Sequence, residues 1–245
     1  MGAAVVAAGA VIAQADGTKA GAAALTGGLA IENGLIERQA AAGAANQVKV
    51  ENRSNDAMTV AVTPRPWLQS ASGAVSPNRR STLRDVGVSE NAFTLKPGET
   101  REIVVTLKTG TPQYGALEVV GLPTDIAKRK GLVTGYRVVS ALRYTPATKT
   151  YALKVGSAKV KAKMVTLSVK NSGNTTDPVS GTVRLKGPLG TRQGSLKATR
   201  LLPGKTISIG VISAKGLPAG KYTATVAIKQ GTFKANVTKK LNVKR

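Results

Sequence analysis

The sequence contains no cysteine and no histidine. This excludes disulfides, thiolate nucleophiles, Cys/His metal sites and histidine acid–base catalysis. Aromatic residues make up only 3% of the chain, so surfaces that stack on bases or sugar rings have little material to be built from. We therefore expect a protein that binds rather than catalyses, with no cofactor and no metal, and with cores made of Val, Leu, Ile and Ala.

Acidic residues are nearly missing from the C-terminal part of the chain. Residues 141–245 contain 21 Lys and Arg against Asp177 alone, whereas residues 1–140 contain 15 against 11 acids. Such a field attracts polyanions, and it does not distinguish nucleic acid from anionic lipid headgroups or anionic wall polymers. We expect an anionic wall polymer or membrane surface as the partner of this part. Nucleic acid explains the charge, but it does not explain the scarcity of aromatic residues.

Five lysines are candidate polyanion-binding residues: Lys159, Lys161, Lys163, Lys239 and Lys240. The first three are spaced by two residues, so on one strand they would share a face. The alternative interpretation of that stripe is a solvated outer strand face without a ligand.

The apolar run Met1–Ala15 is shorter than the roughly 20 residues that span a bilayer. It ends in Ala13-Gln14-Ala15, which has the small-x-small form of a signal-peptidase site. We predict a secretion signal cleaved after Ala15, a flexible Ala/Gly-rich segment up to residue 28, and no transmembrane span. The alternative is an Ala-rich disordered tail.

Helical periodicity is missing, and alternating β-branched runs are separated by Gly, Pro and Asn turns. In the second half the turns recur at the 8- to 12-residue spacing typical of β-sandwiches. This predicts an all-β fold with two immunoglobulin-like β-sandwich domains in tandem, residues 29–146 and 147–245, after the signal-like segment 1–28. The single tryptophan, Trp67, is expected to cover the first core.

Two motifs occur once in each predicted domain. Leu95-Lys96-Pro97-Gly98 is echoed by Leu201-Leu202-Pro203-Gly204, and a strand ending at Asn52 is echoed by one ending at Asn171. Two copies of one β module are the economical interpretation. Tyr222 also stands two residues before a small residue, Ala224, as in the tyrosine corner of immunoglobulin-like folds.

The first domain resembles two groups of bacterial envelope proteins. One is the amino-terminal domain of periplasmic pilus chaperones, and the other is the peptidoglycan-binding domain of WxL-interacting surface proteins. The similarity covers roughly residues 29–146. It rests on Val48-x-Val50-x-Asn52, Phe93 to Thr100, Leu122-Pro123, Tyr136-Arg137-Val138-Val139 and, for the second group, Tyr114-Gly115-Ala116-Leu117.

The chaperone resemblance implies a protein partner that adds a strand to the last strand of the first domain. The candidate partner-binding residues are Arg137, Val138, Ser140, Leu142 and Arg143. Arg137 or Arg143 would grip a carboxylate of the partner. By the period-two rule, residues 138, 140 and 142 share one face and residues 139, 141 and 143 the other. The alternative is an interior strand that simply closes the sheet.

The function expected from these features is that of a secreted binding protein of the bacterial cell envelope, acting like a chaperone in the assembly or attachment of a surface structure. A wall-polymer-binding module without a protein client is the first alternative, and nucleic-acid binding through the basic domain is the second.

Overall fold

The computed structural model describes residues 27–244, so the predicted signal sequence lies outside the described residues. The described chain forms two compact β-sandwich units, and the predicted all-β tandem fold is confirmed. Of the described residues, 27–67 and Pro77–Ala147 form the first unit, and Leu68–Ser76 group with the second unit, which continues from Thr148. Within residues 27–244 there is no helix long and apolar enough to cross a membrane.

The two sheets of the first unit are built from ten strands, of which the fourth and fifth extend into Leu68–Ser76, and one short 3-10 helix, Ile126–Lys128, lies between the last two. The strands are β1 (Leu29–Glu32), β2 (Ile36–Gln39), β3 (Ala44–Asn52), β4 (Met58–Gln69), β5 (Val75–Pro77), β6 (Val86–Val88), β7 (Ala92–Leu95), β8 (Thr100–Leu107), β9 (Gln113–Pro123) and β10 (Tyr136–Thr145). One sheet has the order β1-β3-β8-β6. The facing sheet has the order β2-β10-β9-β4-β5, with β7 paired to β4.

The chain changes sheets between β1 and β2. β1 pairs antiparallel with β3, whereas β2 pairs parallel with the end of β10, from Leu142 to Thr145. Asn33 lies in the left-handed region at φ 55°, and a Cβ on Gly34 would lie 2.8 Å from the Ser140 hydroxyl oxygen. The glycine therefore allows the crossing chain to pass close to β10.

The second unit contains seven strands. They are β11 (Leu153–Lys161), β12 (Met164–Asn171), β13 (Pro178–Gly187), β14 (Gly190–Arg200), β15 (Thr206–Ser213), β16 (Gly220–Gln230) and β17 (Phe233–Val243). They form one sheet of order β11-β12-β15 and one of order β14-β13-β16-β17. Lys159, Lys161 and Lys163 do not lie on one strand, because β11 ends at Lys161 and β12 begins at Met164. Ala162 and Lys163 have φ of 48° and 60°, the left-handed pair that a tight type I′ hairpin requires.

The two sequence echoes are parts of one structural device, present in each unit. Asn52 is fully buried at the end of β3, and its side-chain amide donates to the carbonyls of Leu95 and Asp56. Asn171 ends β12 and donates in the same way to Leu201 and Thr175. The repeated asparagine and leucine thus report a buried hydrogen bond, although the two residues lie 43 positions apart in the first unit and 30 apart in the second.

The Pro-Gly turn completes the device. Gly98 and Gly204 have φ of 75° and 76°, the value that a type II turn needs after proline. Their amides donate to the carbonyls of Asn52 and Asn171 at 2.8 and 2.9 Å. Each unit therefore joins a strand end to a turn through side-chain and backbone bonds of the same asparagine.

We predict that Asn52→Ala lowers the free energy of unfolding by about 2 to 4 kcal/mol, because the buried Leu95 carbonyl loses the bond from the side-chain amide and the Ser54 amide and hydroxyl lose the side-chain oxygen to which they donate. Asn171→Ala should have an effect of the same size. The control is Asn55→Ala, at an exposed position of the same loop, which should change stability by less than about 0.5 kcal/mol. Urea unfolding followed by circular dichroism measures all three. Equal stabilities of the Asn52 and Asn55 variants would contradict the account.

Both cores are mainly aliphatic, as the composition predicts. Phe93 and Tyr144 are buried in the first core, and Tyr222 lies in the second with its hydroxyl donating to the Pro218 carbonyl at 2.9 Å. That bond to the backbone four residues upstream is the tyrosine corner. The prediction for Trp67 was wrong. Its position in β4 alternates with the core residues Val60 and Val62, so it lies on the outward face, half-buried.

Candidate partner-binding edge and basic strands

β10 is an interior strand over one half of its length and an edge strand over the other. It pairs with β9 from Tyr136 to Tyr144, but β2 joins its second side only from Leu142 onward. Among residues 27–244, no strand pairs with Tyr136–Ala141 on the side away from β9. The open edge, as we call Tyr136–Ala141, follows from the sheet change of β1 and β2. The free-edge alternative therefore describes the first half of β10, and the closing-strand alternative describes its second half.

The hydrogen bond from the Ala40 amide to the Thr145 carbonyl sets the direction of the backbone groups. Since Thr145 faces β2, alternation along the strand turns the backbone groups of residues 143, 141, 139 and 137 to the same side. The amides of Arg137, Val139 and Ala141 therefore point out of the open edge. Those of Val138 and Ser140 point to β9.

Side chains on the open edge separate as the period-two rule predicts. Leu142 is fully buried in the core, and Ser140 lies against the sheet-changing segment at Gly34. Leu142 therefore has no surface to offer a partner, although the sequence suggested it as a binding residue. Val138 shares the inward side of the strand and is half-buried. Arg137, Val139 and Arg143 lie on the outward face.

Both candidate arginines are already paired within the first unit. Arg143 donates to Glu37 at 2.7 Å. The Arg137 Nε atom lies 3.2 Å from the Glu118 carboxylate, close enough for an ion pair although the two atoms are not aligned as a hydrogen bond. The expectation that one of them stands free to grip a carboxylate is thus weakened by the geometry.

Glu118 is the centre of a charge cluster that the sequence analysis missed. Its side chain is only 3% exposed, and Arg65 donates to it at 2.6 Å, with Arg79 at 3.4 Å and Arg137 at 3.2 Å. Arg65 also donates to the carbonyls of Arg79 and Ser81. The cluster holds the loop around residue 80 to the outward face of the sheet and fixes Arg137 beside the open edge. An acid inside the apolar run Ala116 to Val120 is the signal that could have revealed it.

Exposed leucines stand at both ends of the open edge. Leu132, four residues before Tyr136, is 81% exposed, and Leu35, next to the partner residue of Leu142, is 54% exposed. Arg129 anchors the loop that carries Leu132 by donating to both carboxylate oxygens of Asp56, at 2.7 and 2.9 Å. These hydrogen bonds hold the pKa of Asp56 below its ordinary value. The apolar ends and the outward amides together form a surface suited to an extended chain.

The five candidate lysines of the second unit do not form one surface. Lys159 and Lys161 lie exposed on one face of β11, but Lys163 occupies the hairpin turn. Lys239 and Lys240 are neighbours on β17, so they point to opposite faces of the sheet. Lys240 is fully exposed on the outward face, whereas Lys239 is half-buried on the side of Leu241.

Asp177, the single acid of the second unit, is engaged in its own network. Lys149 donates to it at 3.0 Å and the Tyr151 hydroxyl at 2.9 Å. Burial raises the pKa of Asp177, but the hydrogen bonds from Lys149 and Tyr151 outweigh this and hold the pKa below its ordinary value of 3.8. The only negative side chain of this unit is thus neutralised locally.

We predict that Asp177→Asn destabilises the protein at pH 7 and that the difference disappears in acid. A carboxylate with a lowered pKa contributes stability above its unfolded value, and that contribution is lost as the pH falls through the folded pKa. The gap between variant and wild type should therefore be constant above about pH 5 and close below about pH 3. Urea midpoints at a series of pH values measure it. A gap that persists in acid would mean that the ion pair is not its source.

Comparison with known proteins supports the fold. No protein-family model matches the chain, and no curated protein matches it. Among solved structures, a chain of a chaperone–tip adhesin complex in CFA/I fimbriae biogenesis is similar at 12% identity, with a TM-score of 0.53, over 87% of this chain and 97% of that one.

Two further structures can be compared. The class 5 fimbriae chaperone CfaA is 12% identical, with a TM-score of 0.48 over 87% of this chain and 98% of its own. The E. coli chaperone DraB is 15% identical, with a TM-score of 0.42 over 89% and 96%. The similarity to the CFA/I structure shows a shared fold, and the predicted resemblance to pilus chaperones is confirmed at that level. The resemblance to WxL-interacting proteins stays a prediction.

Proposed function

We propose that this protein is a non-enzymatic binding protein of the bacterial cell envelope, and that its first unit holds a protein partner by strand addition at the open edge. The observation that carries the proposal is the pairing of Tyr136–Ala141 on one side only, among the residues described, with the amides of Arg137, Val139 and Ala141 directed outward. Backbone groups of this kind pair with an added strand, and side chains beside them select it.

The surroundings of the edge favour an extended apolar partner segment. Leu132 and Leu35 are exposed at its two ends, and together they would cover alternate apolar side chains of a bound strand. Because Arg137 and Arg143 are paired with Glu118 and Glu37, main-chain bonding and apolar contact carry the binding in this proposal, with little contribution from a gripped carboxylate.

The location of the protein outside the cytoplasm is part of the same proposal. It is supported by the signal-like site at Ala13-Gln14-Ala15 and by the fold shared with a chain of a chaperone–tip adhesin complex. In that complex the chaperone is bound to an adhesin. We propose a partner of the same kind here, a subunit of a surface structure.

The test is capture followed by competition. The immobilised chain is incubated with an envelope extract, the retained protein is identified, and synthetic peptides covering that protein are used as competitors. We expect one peptide with alternating apolar residues to displace the protein, because a single strand fills the edge. A retained protein that no peptide displaces, but that intact folded domains do, would contradict strand addition.

A further inference from the structure

The outward face of the sheet β14-β13-β16-β17 is built from cations and hydrogen-bonding side chains. The register places these residues in rows: Thr191, Gln193, Ser195 and Lys197 on β14; Ser180, Thr182, Arg184 and Lys186 on β13; Lys221, Thr223, Thr225, Ala227 and Lys229 on β16; Lys234, Asn236, Thr238, Lys240 and Asn242 on β17. We call this surface the basic sheet face. Ala227 is its one apolar residue, and it contains no acid and no aromatic ring.

All seven cations of the basic sheet face are exposed, and none of them forms an ion pair with any described residue. This differs from the first unit, where seven of the ten arginines lie within ion-pair distance of a carboxylate. Asp177 cannot neutralise the face, because it is engaged by Lys149 and Tyr151. The positive charge is therefore available to a ligand.

The cations are spaced regularly because they sit on a sheet. Lys186 and Lys240 lie in one row two strands apart, about 10 Å, and Arg184 and Lys186 lie about 7 Å apart along one strand. Lys229 and Lys234 are direct cross-strand neighbours. An extended polymer lying on the face would meet cations about 7 to 10 Å apart, with hydroxyl or amide groups between them.

A recess of about 390 Å³ lies at the small residue Ala227. Thr182 and Asn236 stand beside it, and Lys229 and Lys234 form its end. This arrangement offers hydroxyl and amide partners to a polar ring and ammonium groups to an acidic substituent on that ring.

We propose that the basic sheet face docks a linear acidic polysaccharide, with one sugar unit in the recess at Ala227. Alternating hydroxyl, amide and ammonium groups match a chain of hydroxyls and carboxylates. The face has no ring on which a nucleobase could stack and no large apolar side chain to enter a lipid layer. The proposal uses the second unit alone, so it stands or falls separately from the open edge.

Two charge-matched variants of the full chain test it, with polygalacturonate as the probe. The first carries Arg184→Gln, Lys186→Gln, Lys229→Gln and Lys240→Gln on the basic sheet face. The control carries Lys154→Gln, Lys159→Gln, Lys161→Gln and Lys170→Gln, which removes the same charge from the other sheet. We expect the first to weaken binding at least about tenfold and the control by less than about threefold. Equal losses would mean that net charge alone attracts the polymer, and would overturn the proposal.

Ala227→Leu separates recognition from charge, because it fills the recess and leaves every cation in place. The residue is exposed on a strand, so the variant should fold normally, which circular dichroism checks. We expect Ala227→Leu to bind polygalacturonate several-fold more weakly than the wild type does. Neither the variant nor the wild type should bind neutral dextran. Unchanged affinity would mean that no sugar unit binds in the recess. The polysaccharide assignment would be overturned if the wild type bound single-stranded DNA or phosphatidylglycerol vesicles more tightly than polygalacturonate and lost that binding in the four-residue variant of the basic sheet face.

Discussion

Val139→Pro should strongly weaken partner capture while leaving the first unit folded. The Val139 amide points out of the open edge, so proline removes a donor that has no partner among the described residues, and edge positions tolerate this substitution. A bound strand would lose one bond and meet the proline ring. Leaving the facing carbonyl of the bound strand unpaired costs about 1 to 3 kcal/mol, which corresponds to roughly 5- to 150-fold in affinity.

The neighbouring position supplies the contrast. Val138 pairs with Val119, and its amide points to β9, so Val138→Pro removes a ladder bond inside the sheet. We expect that variant to lose about 3 kcal/mol or more of stability. Val139→Ala, which keeps the amide, should bind within a few-fold of wild type. Capture by immobilised protein measures partner binding, and thermal unfolding measures stability. A folded Val139→Pro variant that binds normally would rule out strand addition at this edge.

Glu118→Ala should be the most destabilising single change on the outward face of the first unit. It leaves Arg65 and Arg137, both largely buried, without the carboxylate they surround. Removing one partner of a buried ion pair costs about 3 to 5 kcal/mol, because the remaining charges stay desolvated and repel each other. Urea unfolding should show a loss of this size or a failure to fold.

Variants that break exposed ion pairs are the controls for the size of the Glu118→Ala effect. Glu90→Gln breaks an ion pair with Arg101 in which both side chains are about 40% exposed, and it should cost less than about 1 kcal/mol. Arg79→Gln should behave in the same way, since Arg79 is 61% exposed. If Glu118→Ala is as stable as Glu90→Gln, the cluster does not hold the outward face together.

Much of the fold could be predicted because the signals are local. Alternation fixes strand faces, and the matched asparagines and Pro-Gly turns reflect bonds that each unit makes within itself. The tyrosine corner at Tyr222 is a bond across four residues, so the sequence carries it directly. The asparagine bonds span 43 and 30 residues, and only the repetition of their motifs signals them.

The open edge could not be derived in the same way. It exists because β1 pairs with β3 and, among the described residues, only β2 pairs with β10 on the side away from β9; this choice between two sheets is tertiary. The prediction that Lys159, Lys161 and Lys163 share one strand face was wrong for a different reason. Non-glycine residues at 162 and 163 adopt left-handed conformations, which the sequence signals weakly. The split of Lys239 and Lys240, by contrast, follows from the period-two rule, and the same rule could have revealed the alternating Lys and Thr rows of the basic sheet face.

Amide hydrogen exchange of the open edge, measured with and without the captured partner, tests the central claim most directly. In the free protein, the amides of Arg137, Val139 and Ala141 should exchange fast and those of Val138 and Ser140 slowly. Binding of the partner should slow the first three and leave the other two unchanged. If the partner binds while residues 137, 139 and 141 still exchange as fast as before, the partner does not add a strand to β10.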